Sequence, residues 1–390
     1  MKKVLIHMRR SDLSPIGGPA GYNYNLAQGL DAIGDHNIAF IELHSGNISS
    51  INSKIQSIKI AWLRNLIKIA KGFCRKFQLF YGYKHLSPVD LKEYDIVHFQ
   101  STWDMFEVRD SLKKYSGKVV LTSHSPTLLW KEMYSMLLPW EQKYLHWFYK
   151  KLERMDVYAF NRADYLVFPC PEAEEPYFNN WESYSELHNK KQYRYLLSGI
   201  TPCTVKRGKR LVRKELNIPE DAFVISYVGR HNELKGYDIL LEIGRKIFKD
   251  NANVWFLIAG KEEPLKGLDD SHWIEVGWTN DPHSYIAASD IFVLPNRETY
   301  FDLIMLELLS LGQIVCASYT GGNKFFDKLQ PNGILTYTSI DEAISNIYEV
   351  MSMTDGEKEK IRQLNKTLFN SHFTSKVFAQ NYIKMINTIE

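Results

Sequence analysis

The sequence predicts an α/β protein built from two doubly wound parallel sheets, and three observations carry that prediction. A chain of 390 residues is longer than one hydrophobic core usually organises, which favours two domains. Short β-branched apolar runs recur at spacings that leave room for a helix between each pair, the pattern of a parallel sheet covered on both faces. The alternation pauses once, across the polar and basic stretch 200–221 with Pro202, Gly208 and Pro219, and then restarts. Such a pause reads as an interdomain linker.

In chain order the first series is KVLIHM at the start, NIAFIEL at 37–43, YDIVHFQ at 94–100, KVVLTSH at 118–124 and DYLVFP at 164–169. The second is AFVISYVGR at 222–230, NVWFLIAG at 253–260, HWIEVGW at 272–278, DIFVLP at 290–295 and IVCAS at 314–318. No repeat or low-complexity segment interrupts them.

Composition narrows the function classes. The chain is 45% hydrophobic and 24% charged, as a soluble globular protein is. A formal net charge of +3 gives no global reason to expect nucleic acid as a partner. Cys74, Cys170, Cys203 and Cys316 are scattered, with no pair at metal-ligand spacing, so a reducing cytoplasm is expected rather than a disulfide framework. The apolar run from Val4 to Ile6 is too short for a signal peptide. No stretch approaches the ~18 uninterrupted apolar residues of a spanning helix. A role at a membrane would therefore be peripheral, on the inner face of the cell membrane.

Two regions break the rhythm. Ser45 to Val89 holds no Asp or Glu, while Lys54, Lys59, Arg64, Lys68, Lys71, Arg75, Lys76 and Lys84 are basic. Ile60, Leu63, Leu66, Ile67, Ile69, Ala70 and Phe73 recur beside them at roughly helical spacing. Segment 54–84 is thus a basic amphipathic element, read either as a helix packed on the first domain or as a dock for anionic lipid. Trp130 to Tyr158 is crowded with aromatic residues, which suit either sugar stacking or ordinary helix packing.

Three motifs carry chemistry. SPIGGPAGYNYNLAQGL, from Ser14 to Leu30, follows the first strand and enters a helix with Tyr22, Leu26 and Leu30 on one face. Gly17 and Gly18 would let backbone approach a ligand at a helix terminus, which favours anions. In SYVGRHNELKGYDILLE, Arg230 and Lys235 flank a polar turn at the carboxyl end of a strand. Two such cations can share one diphosphate, at the sheet edge where ligands of doubly wound folds bind. In PNRETYFDLIMLELLSLG, Thr299 and Asp302 have the spacing of a capping box, with Thr299 as N-cap and Gly312 ending the helix. Glu307 then falls inside that helix among leucines, where a carboxylate needs a partner.

Together these stretches resemble a known family, the retaining glycosyltransferases of glycosyltransferase family 4, which have the GT-B fold. The resemblance covers almost the whole chain. It includes the Gly17–Gly18 loop, LTSHSP with His124, NRADYLVFP, VGRHNELKGYDILL, LIAGKEEP, YIAASDIFVLPNRE, YFDLIMLELLSLG and the terminal HFTSKVFAQNYIKMI. It implies two Rossmann-like domains facing a central cleft. Residues 1–200 would form the acceptor-binding domain and 201–370 the donor-binding domain, with 371–390 a helix crossing back to the first.

The resemblance also implies roles. Arg230 and Lys235 match the basic pair on the donor's diphosphate, and Glu307 the second glutamate of the family's Glu-x7-Glu motif, which bonds the ribose. Gly17 and Gly18 match the loop near phosphate and sugar, and His124 a histidine near the transferred sugar. Gly277 and Trp278 lie where backbone holds the base. Thr299, Tyr300, Phe301, Asp302 and Leu303 form the segment at the helix start. Counting back from Glu307, the first motif glutamate falls on Thr299, with Glu298 one place early. Asp302 stands where the family has glycine.

The implied activity is transfer of a hexosyl group with retention, from a nucleotide-diphosphate sugar such as a UDP-sugar. The acceptor would be a hydroxyl of a glycan or lipid-linked acceptor in bacterial surface polysaccharide assembly. The expectation includes no metal or other cofactor, because no Asp-x-Asp motif stands in a fitting place. A non-catalytic subunit that keeps the fold is the alternative reading, motivated by the shifted glutamate and Asp302. A nucleotide-sugar epimerase of similar architecture fits the motifs less well.

Overall fold

The computed structural model describes residues 2–8, 18–35, 37–41 and 86–390 apart from 126, 136, 138 and 252, together with residues 13, 15 and 67. Among them are two six-stranded parallel sheets. The first contains β1 (Val4–His7), β2 (Ile38–Phe40), β3 (Ile96–Phe99), β4 (Lys118–Leu121), β5 (Tyr165–Phe168) and β6 (Gln192–Tyr195), in spatial order 2-1-3-4-5-6. The second contains β7 (Phe223–Val228), β8 (Val254–Ala259), β9 (Trp273–Gly277), β10 (Ile291–Leu294), β11 (Val315–Ser318) and β12 (Ile334–Tyr337), in order 12-11-10-7-8-9.

The helices that matter for function are α1 (Gly18–Ile33), α2 (Pro139–Lys150), α3 (Glu153–Arg162), α4 (Glu175–Asn180) and α5 (Lys209–Glu215). They continue with α6 (Tyr237–Asp250), α7 (Pro282–Ala288), α8 (Leu303–Leu311), α9 (Asp355–His372) and α10 (Ser375–Asn387). Strands β1, β3, β5, β10 and β11 are buried along their whole length. Helices on both faces of a parallel sheet require that, and it is why these strands read as unbroken apolar runs.

Strand order fixes where ligands can go. Each sheet reverses direction once, between β1 and β3 in the first and between β7 and β10 in the second. At such a switch point the loops leaving the two strands diverge and open a crevice at the carboxyl edge. The loop after β7 carries Arg230 and Lys235, and the loop after β10 carries Glu298 to Asp302.

The chain crosses between the sheets twice, and both crossings meet at Ile200. Its N–H donates to the Phe373 carbonyl (2.8 Å), and its carbonyl accepts from the Ser375 N–H (2.9 Å). Helix α10 then lies on α1, burying Phe378, Ala379, Tyr382, Met385 and Ile386 with Tyr22, Leu26 and Leu30. Each large apolar side chain so placed contributes about 1.5–3 kcal/mol. Gly29 permits the contact, since a Cβ there would sit 2.0 Å from the Ser375 carbonyl oxygen.

The polar stretch 200–221 is not wholly a linker. Helix α5 lies within it and belongs to the second domain, because Arg213 is buried and bonds Asp290 (2.9 Å) and the carbonyls of Ala288, Glu220 and Ala222. Asp290 also takes Lys209 (2.6 Å). Arg207, Lys209 and Arg213 are thus anchoring side chains, whereas Lys206, Arg210 and Lys214 are exposed.

Candidate functional site

The loop after β7 is held by its own chemistry. Tyr227 donates its hydroxyl to the Arg230 carbonyl (2.8 Å), and the Asn232 side chain accepts from the Lys235 N–H (2.9 Å). Gly236 caps α6 at φ 66°, and a Cβ there would stand 1.7 Å from the Pro295 carbonyl oxygen. Only glycine lets this loop touch the loop after β10. Gly236→Ala should therefore disturb the site and the fold together, costing more than the ~1–2 kcal/mol of a left-handed alanine. A drop in melting temperature accompanied by lost nucleotide binding is the expected readout.

Where the two loops meet, the Lys235 ammonium lies 2.5 Å from Asp302 Oδ2, and the Asn296 amide donates to the same oxygen (2.5 Å). Burial alone would raise the Asp302 carboxyl; Lys235 and then Asn296 outweigh it and hold it below the usual carboxylate range. Arg230 is exposed and has no ion-pair partner among the described residues.

This pairing overturns the expected capping box. Thr299 is not the N-cap: α8 begins at Leu303, and Asp302 is its N-cap, extended at φ −69°, ψ 128° and without a side-chain cap bond. Its carboxylate is drawn sideways to Lys235 and Asn296, so it does not cap the first N–H groups of α8. A bare helix terminus beside Lys235, with Arg230 on the same loop as that lysine, favours an anion. Gly312, at φ 73°, ends α8 as expected.

Glu307 has a partner that the sequence did not reveal. Its Oε2 is 3.0 Å from His283 Nε2 on α7, and its side chain remains 28% exposed rather than enclosed by leucines. The Cys203 thiol and then the Glu307 carboxylate push the His283 imidazole up to about 10. Cys203 reaches α8 through its N–H, which donates to Ser310 Oγ (2.9 Å). A histidine raised in the folded state stabilises fully below its ordinary range near 6.5, and that contribution fades as pH climbs to about 10. The wild-type melting temperature should thus fall more between pH 6.5 and 10 than that of His283→Gln.

Two other residues of the segment, Glu298 and Tyr300, face the first domain. Glu298 accepts from the Asn180 amide of α4 (2.7 Å). Tyr300 is buried, donates to the Val167 carbonyl (3.2 Å), and packs near Phe168 and His124 at 5.7 and 6.2 Å. Phe301 is buried against Phe326 (5.5 Å) and Phe373 (6.4 Å). The side chains of Glu298 and Tyr300 therefore join the domains, while Phe301 packs within the second domain and against Phe373 where the chain crosses back. Thr299 is buried, and its carbonyl accepts from the Gly322 N–H (3.3 Å). Lys324 with Glu175 (2.5 Å), and Lys328 with Glu172, add ion pairs across the same interface.

Leu303 reaches the opposite helix, and a Cβ on Gly21 would lie 3.2 Å from its Cδ1. The amino ends of α1 and α8 thus face each other across the cleft. Gly18 begins α1 with open space around it, whereas Gly17 and segment 54–84 (Ile67 apart) lie outside the described residues. Gly277, at φ 72°, ends β9, and its carbonyl accepts from the Gly260 N–H (2.9 Å). Trp278 beside it is 72% exposed.

His124 sits on the first-domain side of the cleft at φ 55°, an uncommon backbone for a residue other than glycine. Its Nε2 is 2.7 Å from Gln100 Oε1, its ring meets Tyr22 edge-on at 4.5 Å, and burial pushes it down to about 3. It is neutral and can exchange a hydrogen bond without adding charge. His7, which sequence reasoning missed, lies at the end of β1 against Phe99 (4.7 Å), is pushed down to about 4 by burial, and has no partner for either ring nitrogen among the described residues. Its only signal was its place as the last residue of the first strand.

Comparison with known proteins agrees with this architecture. Residues 16–179 match the family described as Glycosyltransferase Family 4, and residues 222–352 that described as Glycosyl transferases group 1. The O-antigen biosynthesis glycosyltransferase WclY of Escherichia coli is 24% identical over 185 residues, 45% of this chain and 50% of that one. The matched stretch spans from 24% to 61% of the length of the first curated relatives. Sucrose-phosphate synthase of Thermosynechococcus elongatus superposes with a TM-score of 0.65 at 18% identity, over 99% of this chain and 98% of that one. Anabaena HepE, solved with UDP and glucose, superposes at 0.63 and 14% identity over 100% of both chains. With both halves matched and the loop after β10 meeting α1 and His124 of the first domain, this chain belongs to the group 1, family 4 glycosyltransferases and has their GT-B fold.

Proposed function

We propose that this chain is a retaining glycosyltransferase that moves a hexosyl group from a nucleotide-diphosphate sugar, a UDP-sugar foremost, to a hydroxyl in bacterial surface polysaccharide assembly. The observation that carries the reading is the junction of the two second-domain loops. It sets Lys235 and the uncapped start of α8 together at the sheet's switch point, with Arg230 on the same loop as Lys235.

In this reading the bond from the anomeric carbon to the diphosphate breaks while the acceptor oxygen bonds to the same face. The acceptor's proton passes to the departing phosphate oxygen. Arg230 and Lys235 stabilise the charge that develops there, and Glu307, oriented by His283, takes the ribose hydroxyls. His124, neutral, faces the sugar from the first domain. These cations supply the positive charge, so the reading needs no divalent ion. The relatives include an O-antigen glycosyltransferase and the lipopolysaccharide core glycosyltransferase LpsE of Rhizobium meliloti, which supports a glycan or lipid-linked acceptor; the reading adds work at the membrane face. No helix among the described residues is long and apolar enough to cross a membrane.

The test is donor hydrolysis and binding across a panel of nucleotide sugars, with and without EDTA, using Arg230→Ala as control. Turnover that needs Arg230 and survives EDTA is expected. Turnover that persists in Arg230→Ala would remove the assigned site, and failure to bind any donor would favour a non-catalytic subunit.

A further inference from the structure

Helix α2 turns two large aromatic side chains outward. Tyr144 is 65% and Trp147 62% exposed, three positions apart and so on one side of the helix. Four other aromatic residues nearby behave differently. Trp130 and Tyr149 are buried, and Tyr134 and Phe148 pack against the same core. Packing thus accounts for the inner aromatics and leaves the outer two unexplained.

Their surroundings are cationic. Lys143 lies 5.6 Å from the centre of the Tyr144 ring, and Lys151 4.7 Å from that of Trp147. Lys150 is exposed beside them, and residues 143–151 hold no Asp or Glu. None of the three lysines is in an ion pair among the described residues, and the carboxylates nearest in sequence, Glu141 and Glu153, flank the run.

We propose that this outer face of α2 docks the protein on an anionic lipid surface, with Trp147 and Tyr144 seated at the headgroup level and Lys143, Lys150 and Lys151 over lipid phosphates. Charge complementarity names the occupant: three uncompensated ammonium groups around two interfacial rings match a plane of anionic headgroups over an apolar layer. A soluble glycan fits less well, because a lysine already lies over each ring that a sugar would stack on, and a helix surface encloses nothing. The inference deepens the reading that the acceptor lies at a membrane. Vesicle binding requires neither donor nor acceptor, so its failure and the failure of transferase activity are read separately.

The experiment is flotation of the full chain with vesicles of phosphatidylcholine, alone or mixed with phosphatidylglycerol, at low and high salt. Binding to the mixed vesicles alone, weakened by salt, is expected. Each lysine-to-Gln change should lower partitioning roughly fivefold, and Tyr144→Ser with Trp147→Ser at least about tenfold. Melting temperature and UDP binding should stay unchanged in all of them. Brominated lipid should quench tryptophan emission in the wild type and lose that effect in Trp147→Phe. Wild-type partitioning in these variants would place docking elsewhere and overturn the proposal. So would quenching that survives Trp147→Phe, absence of vesicle binding, or retention on soluble acidic glycan in place of vesicles.

Discussion

Arg230→Ala should lower kcat/KM for sugar transfer by about 100- to 1,000-fold, the scale on which removing one preorganised charge from a developing oxyanion acts. The size follows from how the second cation is used. Lys235 is 2.5 Å from the Asp302 carboxylate, so part of its charge is already matched, whereas Arg230 is exposed and unpaired among the described residues. Arg230 is therefore the cation most free to follow charge onto the leaving diphosphate, and its planar fork suits two phosphate oxygens. The same exposure means that folding should hardly notice the change, since surface substitutions stay within about 0.5 kcal/mol. Steady-state kinetics with the responsive donor, beside a thermal melt, checks both halves. A loss below about threefold, with the fold intact, would show that Arg230 does not meet the leaving group.

What the sequence displayed and what it hid divide along physical lines. The eight inner strands were legible because a strand buried on both faces must be apolar throughout, and the half-exposed edge strands β2 and β9 because their runs are still rich in β-branched and aromatic residues. The two missed, β6 and β12, are edge strands: Gln192–Tyr195 is half exposed and carries Gln and Arg, and Ile334–Tyr337 is buried only at its ends. Arg230, Lys235 and Glu307 could be picked out because each is a charge at a strand end or among leucines.

Partners across the fold left no local trace. His283 lies 24 residues before Glu307, and Asn296 is an unremarkable loop residue until its amide meets Asp302. The capping reading of Thr299 and Asp302 failed for the same reason. Spacing knows only the local helix, and Lys235, 67 positions away, bids more strongly for the carboxylate. Tyr300 and Phe301 were assigned to the donor by position, yet their large rings are buried, Tyr300 against Phe168 of the first domain and Phe301 against Phe326 of the second.

Asp302→Asn should then separate two functions that the wild type combines. The local charge of Arg230, Lys235 and Asp302 is one positive unit, facing a diphosphate that carries about two negative ones. Two unit charges about 4 Å apart interact by ~4 kcal/mol near a protein surface, so a fixed carboxylate at the start of α8 works against the nucleotide. Replacing it with an amide keeps the side chain's size and releases Lys235 to phosphate. UDP should bind roughly tenfold tighter, less than the Coulomb figure because water screens a pair whose side chains are 24% and 21% exposed. Stability should change by no more than about 1 kcal/mol at neutral pH. The carboxyl sits below its ordinary range, so its stabilisation is present above about 3.8 and is lost only in more acid solution. Transfer should nonetheless slow, and selectivity among donor sugars should weaken, if the carboxylate is retained at the cost of nucleotide affinity because it reads sugar hydroxyls. Calorimetric titration with UDP and with the intact donor gives the comparison. Tighter UDP together with poorer discrimination among sugars is the expected pair of results; UDP binding that is unchanged or weaker would place Asp302 outside the diphosphate's field.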